Sequence, residues 1–275
     1  MKKLLVLFLS LNIFLLIFSN NAYSDKSKKL TKNEEIAARQ FKVYKDISSK
    51  KQKNCPNKKD TIVIVGIGQS NSTNEAPFKN STERNNIFNF FNGECYLAED
   101  PLLGASGRKG SVWIPLAEKL TLNNVVIVSF GIGATKIEHW VDENILFNHY
   151  IKNIRSLKNI YPNPDFVFWI QGESDVKTNI TQFKVNLTKF MKSIKNDLPQ
   201  TEIFITGTSY CNGVDNPLIV AAQKKVANNL NINFIEGMDD LNSPRLRYEG
   251  CHFNELGIEK LSELLANSLK KHFRK

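Results

Sequence analysis

The sequence predicts an α/β fold, a parallel sheet of about five strands with helices on both faces. Short runs of β-branched and aromatic residues recur at 61–67, 125–130, 165–170, 202–206 and 232–235. Stretches of helical spacing separate them, near 114–121, 143–160, 180–196 and 216–230, and a last one falls near 254–273. The apolar runs are continuous instead of alternating, which marks strands buried on both faces. Buried strands alternating with helices give a parallel sheet covered on both sides. The segment 61–275 is the right size for one such domain.

The 275 residues are 41% hydrophobic and 23% charged, a composition that excludes collagen, low-complexity and disordered chains. Lys2 and Lys3 precede an apolar run at 4–18, followed by Ala22-Tyr23-Ser24 with small residues at the −3 and −1 positions of a cut after Ser24. That layout is a secretory signal peptide over 1–24, which predicts a periplasmic or secreted protein. An uncleaved membrane anchor is the competing interpretation, and a spanning helix needs about 20 apolar residues.

The formal net charge of +10 is unevenly spread. Residues 25–60 hold 12 bases and 5 acids, whereas 61–275 hold 23 bases and 22 acids. Basicity therefore belongs to an N-terminal arm, and the domain carries no nucleic-acid footprint. Thr31 and Glu34 form a capping box, and Ile36, Gln40, Val43, Tyr44 and Ile47 follow as a thin helical stripe. Lys50, Lys51, Lys53, Lys58 and Lys59 predict a solvated linker. The arm suits weak attraction to an anionic envelope surface, or a plain solubilising role.

In open sheets of this kind, ligands bind beyond the carboxyl ends of the strands. The first strand ends in Gly66-Ile67-Gly68-Gln69-Ser70-Asn71, which presents Ser70 on a sharp turn. Taken alone, this is also an ordinary turn sequence. The second runs into Gly131-Ile132-Gly133-Ala134-Thr135, with Trp140 shortly after. The third breaks from an apolar strand into Gln171-Gly172-Glu173-Ser174-Asp175, where Gln171 and Glu173 either face a cleft or tie loops together. Of four histidines, only His252 sits in a loop with a carboxylate, Glu249, three residues earlier. A serine, a histidine and a carboxylate to fix its tautomer are what acyl transfer requires. No G-x-S-x-G elbow occurs, which argues against an α/β-hydrolase, and position 71 breaks the dinucleotide fingerprint.

Gly-Gln-Ser-Asn at 68–71, Gly133-Ala134-Thr135 with Trp140, Trp-x-Gln-Gly-Glu-Ser-Asp at 169–175 and the His252 loop occur in that order. Together they resemble the sialate O-acetylesterase-like branch of the SGNH (GDSL-type) hydrolases over about residues 61–270. The resemblance implies a three-layer α/β/α flavodoxin-like fold and cofactor-free removal of acetyl groups from carbohydrates. It assigns Ser70 as nucleophile and His252 as general base. The Ser70 N–H, the Gly133 N–H and the Gln171 side chain become the oxyanion hole, with Gly131 a second choice to Gly133. Glu173 becomes a structural support. The family usually has Asp three residues before the histidine, so Glu249 is a departure, and Asp239 and Asp240 stand as fallback carboxylates.

Four cysteines in an exported chain permit two disulfides in any of three pairings; Cys55–Cys95 with Cys211–Cys251 is the pairing expected, and four buried free thiols are the alternative. No Cys-x-x-Cys or His-Glu-x-x-His spacing points to a metal. Pocket walls are expected from 72–112, Trp113, 208–216 and 241–248. Two alternatives to a glycan acetylesterase stay open. One is a lipase or thioesterase on the same fold, the other a non-catalytic envelope carbohydrate-binding protein.

Overall fold

The computed structural model describes residues 42–120, 124–141, 144–236 and 241–272. The expected leader, arm residues 25–41, Asp239 and Asp240 lie outside the described residues. In chain order the strands are β1 (Gln52–Lys53), β2 (Thr61–Gly68), β3 (Ile87–Phe91), β4 (Glu94–Leu97), β5 (Asn124–Ser129), β6 (Phe166–Ile170), β7 (Glu202–Thr206), β8 (Asn233–Ile235), β9 (Arg247–Tyr248) and β10 (His252–Phe253). The helices are α1 (Trp113–Lys119), α2 (Ile145–Lys158), α3 (Ile180–Asp197), α4 (Pro217–Leu230) and α5 (Glu255–Leu269).

The main sheet has the order β1-β4-β3-β5-β2-β6-β7-β8. Its six strands from β3 to β8 run parallel, and β4 and β1 add an antiparallel edge. Alternate residues of one strand reach different layers. Val63, Val65 and Ile67 pack with Leu146, Tyr150, Phe183, Phe190, Ile219 and Val226 from α2, α3 and α4. Ile64 packs with Trp113, Leu116, Leu261 and Leu265 from α1 and α5. Both faces are covered, so the strands carry no polar face, and the chain forms the three-layer α/β fold that its pattern predicts.

The sheet is wider than the five strands expected. The extra pair β3–β4 is a hairpin closed by Asn92 (φ 50°) and Gly93 (φ 90°), the Asn-Gly pair that two-residue turns favour. Both strands lie between glycine- and polar-rich loops, which hides them from a search for buried runs.

The described end of the basic arm also differs from expectation. Residues 42–47 are not helical: Val43 bridges Ser106, Tyr44 N–H donates to Ala105 O, and Gly104 N–H donates to Tyr44 O. The lysine-rich stretch is not a loose linker. Lys51 O accepts from Leu97 N–H, β1 pairs with β4, Lys58 Nζ lies 2.7 Å from Asp165, and Cys55 is bonded to Cys95. Backbone pairing along a sheet edge leaves lysine heads in water, so a solvated composition does not exclude an ordered strand.

Candidate active site

The chain visits one side of β2 through β3 and β5, then crosses to the other side at β6, so the crevice opens where β5, β2 and β6 end. The loops after these three strands carry the Ser70, Gly133 and Gln171 segments.

Ser70 opens a 3-10 turn at Ser70–Ser72 and is 7% exposed. The turn starts directly after Gly68, whose φ is +134°, and a Cβ there would stand 2.0 Å from Ile170 O. Only glycine allows so close an approach of β2 to β6 at the bend. Hydrogen bonds from Ser72 and Thr73 to the carbonyls of Gln69 and Ser70 close the turn, leaving the Ser70 N–H unused. Trp113 Nε1 donates to Ser72 O at 2.8 Å. Trp113 is therefore a fully buried brace of the turn, not a pocket wall, and Leu102 and Leu103 are likewise buried.

Gly133 adjoins the serine, since a Cβ on it would lie 3.7 Å from Ser70 Cβ. Gly131 instead faces Ser72 and Thr73. The Gly133 N–H donates to Ser106 Oγ at 2.7 Å, a partner the sequence did not indicate beyond the flanking Gly104 and Gly107.

Gln171 departs from expectation. Its Nε2 donates to Thr135 O and to Asp175 Oδ2, each at 2.7 Å, and its Oε1 is buried without a partner. Both amide hydrogens are thus consumed in tying β6 to the loop after β5, and neither is aimed at an oxyanion. Asp175 also accepts from Thr178 Oγ1 and Ile137 N–H. Burial raises its carboxyl pKa, and these hydrogen bonds oppose the rise.

Glu173 is buried and joins three loops. Its Oε1 accepts from Asn71 Nδ2 at 3.1 Å and Ser209 Oγ at 2.7 Å. Gln69 Oε1 adds a second tie by accepting from Gly172 N–H and Ser174 N–H.

The β9–β10 hairpin pairs His252 with Tyr248, and β10 packs against the Ser70 turn. The Nδ1 of His252 is buried and has no hydrogen-bond partner. Glu249 Oε2 lies 3.9 Å from it, outside hydrogen-bond range, and the Glu249 side chain is 54% exposed. Glu249 occupies the left-handed region (φ 53°), as the three-residue turn demands. The sequence therefore brings the carboxylate near the imidazole without engaging it. Lys109 spans this hairpin, with Nζ 4.0 Å from Glu249 Oε1 and 4.8 Å from the centre of the Tyr248 ring.

Two further restraints act on the hairpin. Cys251 is bonded to Cys211, and Asn212 N–H donates to Gly250 O. The Arg247 guanidinium donates to Leu241 O and Cys251 O and stacks 3.8 Å from the Phe253 ring centre. Burial lowers the Arg247 pKa to about 10, with the Glu173 charge opposing. Among the described residues, no group of three His, Cys, Asp or Glu side chains is arranged to hold a metal ion.

The chain is a three-layer α/β fold with its polar strand-end loops gathered on one side, and its family makes it a carboxylic ester hydrolase. Residues 60–271 match the carbohydrate esterase family of sialic acid-specific acetylesterases, and the chain belongs to that family. No curated protein matches its sequence. Among solved structures it is similar to a protein of Arabidopsis thaliana at 16% identity (TM-score 0.62), covering 79% of this chain and 100% of that one. NanS is similar at 15% identity (TM-score 0.59; 80% and 99% covered). Axe2, an acetylxylan esterase from Geobacillus stearothermophilus, follows at 14% identity (TM-score 0.52; 78% and 96% covered).

Proposed function

We propose that this chain is an exported serine esterase that releases acetate from an O-acetylated glycan, with Ser70 as nucleophile and His252 as general base. The observation that carries this is the convergence of the Ser70 turn, the Gly133 loop and the His252 hairpin beyond the carboxyl ends of the central strands. His252 takes the Ser70 proton as Oγ attacks the acetyl carbonyl carbon, and the carbonyl π electrons move onto oxygen. Collapse of the tetrahedral intermediate breaks the bond to the sugar oxygen, which takes the proton from the imidazolium. Water, deprotonated by His252, then attacks the acetyl-Ser70 ester and leaves acetate and free serine. The Ser70 N–H, unused by its turn, is one oxyanion donor; the Gly133 amide is the second backbone group at the site. Glu249 acts as a nearby negative charge for the imidazolium, not as its hydrogen-bonded partner.

Membership of a carbohydrate esterase family supports an acetylated sugar as substrate. Export is supported by the leader-like segment 1–24 and by two disulfides, which persist in oxidising compartments. The net positive charge of residues 25–60 suits a chain working beside an anionic envelope polymer. The test is acetate release from a panel of O-acetylated glycans by wild type and Ser70→Ala. Turnover by wild type that disappears in the variant is expected, and equal rates remove Ser70 from the mechanism.

A further inference from the structure

We infer that Arg247 is a positioning residue for the reaction, its guanidinium holding the chain on both sides of His252 and so placing the imidazole beside the Ser70 turn. The inference rests on the esterase function proposed above. Arg247 is 8% exposed. Arginines this deeply buried are ordinarily paired with a carboxylate. Here, among the described residues, the guanidinium's hydrogen bonds go to two carbonyls: one Nη donates to Cys251 O at 3.2 Å and the other to Leu241 O at 2.6 Å. Its central carbon lies 3.8 Å from the centre of the Phe253 ring. Cys251 and Phe253 are the two chain neighbours of His252, so one rigid group grips the base from both sides. Burying a charge costs stability that an apolar side chain of similar volume would not. A buried cation engaged with the backbone of this hairpin therefore points to geometry as its purpose.

The register of the hairpin lets a buried residue control one at the cleft. Arg247 pairs with Phe253, and Tyr248 pairs with His252. Directly opposed residues share a face and successive ones alternate. Arg247 and Phe253 therefore point into the core, where Phe253 packs with Ile64, Trp113 and Leu246, while His252 and Tyr248 point the other way. Leu241, whose carbonyl is the second anchor, belongs to the same core cluster. Two residues per strand do not hold a hairpin by themselves. The Cys211–Cys251 bridge restrains the side chain of Cys251, and Arg247 restrains its carbonyl. The planar guanidinium fork fixes direction as well as distance, which an ammonium group does not. Because β10 packs against the Ser70 turn, any shift of the hairpin moves the base relative to the nucleophile. A misplacement of about 1 Å costs about 10²-fold in rate.

The experiment introduces Arg247→Ala and Arg247→Lys into the full chain in two backgrounds, wild type and His252→Ala. Steady-state hydrolysis of 4-nitrophenyl acetate is followed below each variant's melting temperature, at enzyme concentrations high enough to read His252→Ala. In the wild-type background we expect Arg247→Ala to lower kcat by about 10²-fold and Arg247→Lys by less, with KM close to wild type. In the His252→Ala background the same substitutions should change kcat by less than about twofold, because the group they misplace is already gone. Equal fractional losses in the two backgrounds would show that Arg247 does not act through His252. A lowered melting temperature with wild-type kcat would show a purely structural role. Either result overturns the inference. If Arg247→Ala does not fold, Arg247→Lys decides by the same comparison. The parent proposal fails separately: Ser70→Ala would then hydrolyse the ester as fast as wild type, whatever the Arg247 variants do.

Discussion

Glu249 and His252 are three residues apart in sequence, yet their side chains stop short of a hydrogen bond. A solvent-screened carboxylate at 3.9 Å stabilises the imidazolium weakly, so Glu249→Ala is predicted to lower kcat by less than about tenfold. His252→Ala removes the base itself and is predicted to cost about 10²–10⁴-fold. Comparable losses for the two variants would show that Glu249 engages the imidazole directly during turnover. A second prediction concerns a buried carboxyl and a half-buried imidazole away from the chemistry. Asp100 is 3% exposed, and burial raises its pKa from 3.8 to about 6 despite hydrogen bonds from Asn80 and Ser111. The folded state therefore holds that proton more tightly than the unfolded chain. Ionising Asp100 costs stability as pH rises from about 4 through 6, by about 3 kcal/mol in all. His149 has the opposite slope. Burial lowers its pKa to about 4, so its contribution is present above its unfolded value near 6.5 and is lost as pH falls through that window. Melting curves from pH 4 to 7.5 are expected to rise more steeply with pH in Asp100→Asn than in wild type. Identical slopes would show that Asp100 titrates as an ordinary carboxyl.

The two disulfides are equivalent in chain terms and unlike in place. Each closes a separation of 40 residues, for which chain entropy gives about 4 kcal/mol of stabilisation. Cys55–Cys95 fastens the stretch beside β1 to β4 at the sheet edge, far along the sheet order from the site. Cys211–Cys251 fastens the loop after β7 to the residue preceding His252. Replacing either pair by serine is predicted to lower the melting temperature similarly. Only the Cys211→Ser, Cys251→Ser pair should also depress kcat, because it frees the hairpin that carries the base. Equal activity in both double variants would separate that bridge from catalysis.

Over the whole molecule, the boundary between arm and domain is drawn by contacts and not by charge. Residues 42–60 supply an edge strand, one half of a disulfide and the Lys58–Asp165 ion pair, and Pro56 O accepts from the Tyr161 hydroxyl. A chain beginning at residue 61 loses β1 and the Cys55–Cys95 bridge and is predicted to unfold at markedly lower temperature than one beginning at residue 42. Matching thermal unfolding of the two truncations would mean that this segment adds nothing to the fold.

Periodicity alone determined the core of this architecture. The parallel strands β2, β5, β6, β7 and β8 follow from apolar runs, because burial on two faces leaves few polar residues to interrupt them, and the helices between and after them follow from their 3.6-residue apolar spacing. Strand-end glycines and polar clusters likewise marked Ser70, Gly133, Gln171 and Glu173 as one neighbourhood, since a parallel sheet gathers its carboxyl-end loops on one side. What sequence could not decide was which atoms meet. The edge strands β1, β3 and β4 are held by backbone pairing that leaves little trace in side-chain pattern. The commitment of Gln171 to Thr135 and Asp175, the gap between Glu249 and His252, and the approach of Ser106 to Gly133 depend on distances of an ångström or two. Those distances are fixed by packing between segments far apart in the chain. Residue type names a donor or an acceptor; only the tertiary structure decides whether its partner is already taken.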